Sequence, residues 1–410
     1  VTARQVARRV LDRVDKDGAW ATPTLDGELA RAGLEERDRR LAAELVYGVL
    51  RHRTRLDRAL AAHAKLGKTP PRVLTALRVA AYQLLFLDRV PPYAAVDDAV
   101  AAAREFGGQK VAGFANAVLR KLKEPPLPPA GPERVEVEYS LPRWIVDELA
   151  ASGGAPAAFA EQPPLVARVN TRRTTRDALI AELAKAGVTA RALEVPGALV
   201  LEDAGDPSRI PSFSAGAWTV QDAGAQLVGH IAAPRAGTKI LDACAGVGGK
   251  STHLAELAND AASIDAADRS TTKLGLCEET ARRLGLTSIR THACDLLDPK
   301  APLRSDYDLV VLDAPCSGLG VLRRHPDAKW RLKPADVPRL AALQEQLLEA
   351  VLARLALHGR LVYSVCTFTR AEGPAQIAAL RARHPELRLV TEHHTWPPDA
   401  DAFYIARLER

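Results

Sequence analysis

Apolar residues recur at helical spacing through the first 124 positions. Val6, Val10 and Val14 stand four apart, and Leu41, Leu45, Val46 and Val49 repeat the rule. Residues 72–87 carry Val73, Leu74, Leu77, Val79, Ala80, Leu84 and Leu85, dense enough to predict a central helix that Pro91 and Pro92 stop. Two more helices are predicted over 93–106 and 112–122, broken at Gly107 and Gly108. Short helices with short links predict a compact all-α bundle.

The pattern then changes twice. The run 124–132 holds five prolines and reads as a semi-rigid linker. A helix around 144–151, strands at 165–169, 188–193 and 198–201, and a helix at 175–186 predict a small α+β subdomain. From about residue 237 the chain alternates strand, glycine turn and helix. Strands are predicted at 239–241, 263–267, 288–292, 309–312 and 361–363, with a long helix over 337–357. Such alternation predicts a doubly wound, mostly parallel sheet whose ligands sit beyond the carboxyl ends of the strands. The expected division is 1–124, 125–236 and 237–410, and 410 residues are too many for one ordinary core.

Composition narrows the class. With 47% hydrophobic and 26% charged residues the chain is globular, neither disordered nor collagen-like. No apolar run approaches 18 residues, so no membrane span is expected. Arg4, Arg8 and Arg9 lead into no apolar stretch, so no secretory signal is expected either. The five cysteines form no zinc-knuckle or CxxC spacing, which predicts free thiols in a cytoplasmic protein without a metal. Of the net charge of +6, residues 1–124 alone supply 23 Lys/Arg against 15 Asp/Glu. A basic helical module points to a polyanionic partner, though a solvated helical surface gives the same count.

Two chemistries compete for the segment "DACAGVGGKST". It resembles a P-loop with 309–313 as the following acidic strand, but that motif needs glycine where Cys244 stands. The other reading is a nucleoside-binding turn, as in S-adenosylmethionine (AdoMet) enzymes. There Gly246, Gly248 and Gly249 let backbone pass close to the ligand. Asp268 follows at the next strand end, placed to accept from ribose hydroxyls, and Asp295 follows the third strand, placed for an adenine amine. Asp265 is a rival to Asp268 but falls inside its strand, where a strand-start polar role is expected.

Cys316, in "LDAPCSGLG", and Cys366, in "YSVCTF", each follow a predicted strand and so should reach the same ligand face. Carbon 5 of cytosine is too poor a nucleophile to take a methyl group directly. A thiolate added at carbon 6 activates it, and the adduct must later lose its carbon 5 proton and expel the thiolate. Asp313 is a candidate donor or polariser at cytosine nitrogen 3 if the pocket raises its pKa. Cys244, Cys277 and Cys294 read as small buried hydrophobes. His325-Pro326-Asp327 and Lys329-Trp330 read as a substrate-positioning loop with Trp330 as a stacking platform, or as a merely pinned loop. His393 and His394 read as surface residues.

The strings "PPYAAVDDAV" and "VAGFANAVLRKL" resemble the NusB-type RNA-binding fold, and the chain from about Gly216 onward resembles the RNA 5-methylcytosine methyltransferases. Together they resemble the RsmB (Sun/Fmu) branch, which acts on small-subunit ribosomal RNA. The resemblance implies a multidomain protein: an all-α NusB-like bundle, a small α+β subdomain and an α/β Rossmann-like AdoMet-dependent methyltransferase domain. It implies Cys366 as the nucleophile and Cys316 as the thiol that assists breakdown of the adduct. It also implies a cofactor site on Cys244, Ala245, Gly246, Val247, Gly248, Gly249 and Lys250, with Asp268, Asp295 and Asp313. Having both cysteines argues for RNA over DNA, and a monomer is expected. The sequence departs from the family at Val247 (usually proline), at Val365 and Thr367, and at Gly373 (usually asparagine). A transfer RNA substrate, a P-loop ATPase and a non-catalytic RNA-binding assembly factor are the alternatives.

Overall fold

The computed structural model describes residues 1–410. The chain divides into two units, Val1–Gln162 with Leu322–Leu332, and Pro163–Val321 with Lys333–Arg410. In the first, the helical spacing becomes α1 (Ala3–Asp17), α2 (Ala21–Ala32), α3 (Glu36–Arg51), α4 (Arg53–Ala61), α5 (Pro71–Phe86), α6 (Pro92–Arg120), α7 (Pro132–Glu138) and α8 (Arg143–Ser152). Thr2 caps α1 reciprocally with Gln5, and Gly18 closes it in the left-handed region. Its buried face carries Val6, Val10 and Val14, as the spacing predicts. Helix α5 is central because Val73, Ala76, Leu77, Val79, Ala80 and Ala81 are all buried. Gly107 and Gly108 leave helical geometry inside α6, so the two expected helices are joined at a kink. Helix α7 goes beyond expectation: the proline-rich linker gives way at Pro132, whose fixed φ suits a first helical position.

The short segment Leu322–Leu332 decides between two sequence readings in favour of the pinned loop. Trp330 packs on the helical core and its indole N–H donates to Leu50 O at 2.8 Å. Lys329 Nζ donates to Arg51 O at 2.8 Å, and Asp327 accepts from Ala21 N at 3.0 Å. Burial, followed by the Arg51 charge, holds the Lys329 amine well below its usual range. These side chains are consumed by packing in the helical unit, so Trp330 presents no platform for a base.

The second unit begins with β1 (Leu165–Val169), α9 (Arg176–Lys185), β2 (Thr189–Ala192), β3 (Ala198–Glu202), α10 (Pro211–Ser214) and β4 (Trp218–Val220). The four strands form an antiparallel sheet ordered β2-β3-β1-β4. There follow α11 (Ala223–Ala232), β5 (Lys239–Ala243), α12 (Gly249–Leu257), β6 (Ser263–Asp268), α13 (Thr271–Leu284), β7 (Ile289–Ala293) and β8 (Tyr307–Asp313). After α14 (Ala328–Arg331) of the first unit come α15 (Asp336–Leu352), β9 (Leu355–Val365), α16 (Pro374–Arg383), β10 (Arg388–His394) and β11 (Tyr404–Glu409). The seven-stranded sheet is ordered β10-β11-β9-β8-β5-β6-β7. Strands β5 to β9 pair in parallel, and β10 and β11 add an antiparallel edge.

Two expectations need correction. The helix over 337–357 ends at Leu352, because Leu355 already pairs with Tyr307 in the sheet; its apolar run satisfied either period, and strand register decided. Asp265 lies within β6, 3% exposed, and accepts from His292 (2.9 Å), Arg304 (3.2 Å) and Tyr307 (2.8 Å), so it is a buried ionic anchor rather than a strand-start residue. His393 and His394 lie exposed on β10, as expected. No helix is long and apolar enough to cross a membrane, and no cluster of His, Cys, Asp or Glu could hold a metal.

Candidate active site

The order of the strands reverses between β8 and β5, so a crevice opens above their carboxyl ends. A cavity of about 830 Å³ lies there, lined by the loop after β5, Asp268, Asp295, Asp313, Cys316 and Cys366. Cys244, Gly246 and Gly248 all have positive φ (62°, 57° and 81°), so the chain turns sharply before α12 begins at Gly249. The two glycines are required for different reasons. A Cβ on Gly248 would lie 2.2 Å from Cys277 Sγ of α13, so helix packing excludes it. A Cβ on Gly246 would meet no protein atom within 4 Å, leaving that backbone open to a ligand.

Gly246 N donates to Asp268 Oδ2 at 2.9 Å, and Ser270 N donates to Asp268 Oδ1 at 2.8 Å. Asp268 therefore ties the loop to β6 while lining the cavity. Asp295 stands two residues past β7, accepts from Leu297 N at 3.0 Å and faces Arg269 at 3.7 Å. Burial, then the charges of Asp313, Asp268 and Asp242, push the Cys244 thiol up to about 12, so it stays protonated. Cys277 is a buried core thiol as expected, but Cys244 and Cys294 line the cavity.

At the other end of the crevice, β8 and β9 are parallel neighbours with Asp313 opposite Ser364. Their loops therefore emerge side by side and bring Cys316 Sγ and Cys366 Sγ within 3.4 Å. The hydrogen bond to the Cys366 sulfur, then burial, then the charges of Cys366, Glu372 and Asp313 hold the Cys316 thiol well above its ordinary range. Asp313 accepts from Lys250 Nζ at 2.6 Å and from Ser364 Oγ at 2.8 Å. Burial disfavours the Lys250 ammonium, but Asp313, Asp242 and Cys366 outweigh it and raise its pKa. Asp313 thus faces the cavity while paired to Lys250 and Ser364.

Every expected site residue except Gly248 lines the cavity; Gly248 sits beneath it against Cys277. The sequence reading missed three groups. Asp242, fully buried under the loop, is pushed up to about 7 by burial, partly offset by its Ser251 hydrogen bond. Arg168 of β1 pairs with Glu256 of α12 and donates to Gly249 O at 2.8 Å, bracing the glycine loop from the small sheet. Glu372 holds the loops of the two cysteines. Only the "DACAG" string signalled Asp242, and nothing local signalled Arg168.

Glycine turn, flanking acids and open backbone fit a nucleoside with a charged tail. Three family profiles match the chain: "16S rRNA methyltransferase RsmB/F" over residues 230–409, the NusB family over 1–124, and an RsmF/B-like ferredoxin-like domain over 141–207. A Synechocystis sp. protein named probable ribosomal RNA small subunit methyltransferase B is 36% identical, covering 95% of this chain and 91% of its own length. A Sodalis glossinidius ribosomal RNA small subunit methyltransferase B is 37% identical, covering 95% and 90%. The crystal structure of PH0851 superposes with a TM-score of 0.84 at 23% identity, covering 100% of this chain and 99% of its own. A Pyrococcus horikoshii methyltransferase homolog gives a TM-score of 0.58 at 22% identity, covering 67% and 97%; both share the fold. With relatives above 30% identity along almost its whole length, the chain belongs to the ribosomal RNA small subunit methyltransferase B family.

Proposed function

We propose that this protein methylates carbon 5 of a cytosine in RNA, with small-subunit ribosomal RNA as the substrate and AdoMet as the methyl source. The observation that carries the reading is the 3.4 Å approach of two thiols at one end of the crevice whose other end is the glycine loop. In this reading residues 1–124 dock RNA, 125–236 brace the site, and 237–410 carry the chemistry. Gly246 and its neighbours Cys244 to Lys250 would hold AdoMet, with Asp268 on the ribose and Asp295 on the adenine. When bound, AdoMet supplies the electrophilic methyl group that carbon 5 takes up.

The Cys366 thiolate forms a bond to cytosine carbon 6, and the displaced electron pair makes carbon 5 nucleophilic. The Lys250 ammonium, fixed by Asp313, lines the same cavity as Cys366 and is attractively coupled to its sulfur. Once the sulfur is bonded to carbon, it no longer carries the charge that holds the Cys316 proton in place. Cys316 can then give its proton to solvent in the crevice and, as the thiolate, remove the carbon 5 proton. The carbon 6–sulfur bond breaks, its electron pair leaving with Cys366 as thiolate.

The two thiols fail differently. Cys366→Ala should abolish methyl transfer and any covalent RNA–protein species. Cys316→Ala should still attack and methylate, then accumulate an adduct that survives denaturing electrophoresis. A trapped complex in Cys366→Ala but not in Cys316→Ala reverses the roles, and methylation by both variants without any adduct refutes the covalent route.

A further inference from the structure

Cys316 and Cys366 lie on separate loops, and strand pairing ends before either: β8 stops at Asp313 and β9 at Val365. Something beyond the sheet must set the sulfurs at 3.4 Å. The residue after Cys316 and those after Cys366 converge on one carboxylate, that of Glu372, fully buried before α16. Its Oε1 accepts from Ser317 N at 2.7 Å and from Gln344 Nε2 of α15 at 3.1 Å. Its Oε2 accepts from Ser317 Oγ at 2.6 Å and from Thr369 Oγ1 at 2.9 Å. Ser317 Oγ lies 3.0 Å from Thr367 Oγ1, which closes the bridge between the loops. The backbone of Glu372 is itself held, its carbonyl accepting from Tyr363 OH of β9 at 2.6 Å.

Ser317 N–H and the Gln344 amide, which can only donate, both fall on Oε1, while the Ser317 and Thr369 hydroxyls donate to Oε2; a carboxylate accepts all four, whereas an amide would force both hydroxyls to turn around. A carboxylate taken fully out of water is costly unless so bonded, so the group is not a casual core residue. It does not line the cavity and hydrogen-bonds neither sulfur, so it acts on the cysteines through their loops and its charge rather than on a substrate. We infer that Glu372 is the positioning residue that holds the Cys316 loop against Cys366, and that its role is felt at breakdown of the covalent intermediate. The inference rests on the proposed division of labour between the cysteines. Attack needs only Cys366, the residue immediately after β9, whereas elimination needs Cys316, three residues beyond β8, held to Cys366 across the loops.

The test uses the full chain, in-vitro-transcribed small-subunit ribosomal RNA and AdoMet. It reads AdoMet affinity, single-turnover methyl incorporation and the lifetime of the covalent species on denaturing gels. Glu372→Gln keeps the volume but loses one acceptor. It should bind AdoMet within about twofold of wild type and methylate in a first turnover, yet release its RNA about 10–100-fold more slowly, the scale of a misplaced reacting group. Cys316→Ala sets the non-releasing limit. If Cys316→Ala traps adduct while Glu372→Gln releases RNA at the wild-type rate, the role of Glu372 is wrong and the cysteine assignment stands. If Cys316→Ala methylates and releases normally, the underlying reading fails, and this inference with it. If Glu372→Gln loses AdoMet affinity and the first turnover in step, Glu372 is merely structural. Should that variant not fold, Ser317→Ala decides, because it removes the hydroxyl but keeps the N–H on the carboxylate. Release slowed about threefold or more supports the role, and unchanged release overturns it.

Discussion

Alanine at Gly248 should destabilise the methyltransferase unit from beneath the cofactor crevice. Its φ of 81° costs an L residue about 1–2 kcal/mol. The new Cβ would also lie 2.2 Å from Cys277 Sγ, 2.7 Å from Cys277 Cβ and 3.0 Å from its Cα. A sulfur can swing aside, but the Cα moves only with α13, so overpacking adds about 1–3 kcal/mol. The total of about 2–5 kcal/mol corresponds to a melting temperature lower by on the order of 10 °C, at ~2–4 °C per kcal/mol for a unit of this size. Gly246→Ala is the internal control. It shares the left-handed strain (φ 57°) but meets no protein atom, so it should cost only about 1–2 kcal/mol in stability while its methyl intrudes on AdoMet. Differential scanning calorimetry and AdoMet titration of both variants separate the effects. Cys277→Ala in the Gly248→Ala background should restore only part of the loss, because the Cβ contact at 2.7 Å remains. If Gly248→Ala melts no lower than Gly246→Ala, the packing argument is wrong.

Asp268→Ala should weaken AdoMet binding by about 1–3 kcal/mol in isothermal titration, because it removes a charged acceptor and frees Gly246 N; unchanged affinity in a folded variant refutes the ribose assignment. His52 makes an acid-sensitive element of the helical unit. Burial first, then Lys329, Arg55 and Arg51, lower its pKa to about 3, with the ring stacked against Phe86 and near Tyr82. Below pH 6.5 the unfolded chain binds a proton that the folded chain refuses. The stability tied to His52 should therefore fall by up to ~1.4 kcal/mol per pH unit from 6.5 toward 3, and be constant above. His52→Phe should flatten that limb in urea titrations between pH 4 and 7, and an unchanged slope assigns the acid sensitivity elsewhere.

Most of the architecture was legible because it rests on local periodicity. Val6, Val10 and Val14 define a helix face whatever surrounds them, and a strand followed by "AGVGGK" is a turn wherever it occurs. The two cysteines were legible for the same reason: each follows a strand, and parallel strands end on one side of their sheet. The Lys329–Trp330 stretch was left between two readings because its spacing after Cys316 says nothing about which unit it joins; the apolar surface that takes Trp330 is built from α3 and its neighbours, hundreds of residues earlier. Helix 337–357 was overrun because an apolar run satisfies both periods until a partner strand chooses one.

The residues that hold the site share a different property. Arg168 grips Gly249 across 81 positions, Glu372 grips Ser317 across 55, and Asp313 meets Lys250 across 63. Each is a polar group wholly or partly withdrawn from water, a position that costs stability unless a partner arrives. The sequence by itself determined the elements, their order and the loops that carry the reactive groups, since backbone sterics and hydrophobic period act over a few residues. Only the tertiary structure decided the 3.4 Å between two sulfurs, the ion pair under the crevice and the carboxylate that spans its loops, because hydrogen bonds between distant residues depend on where the packed chain brings them.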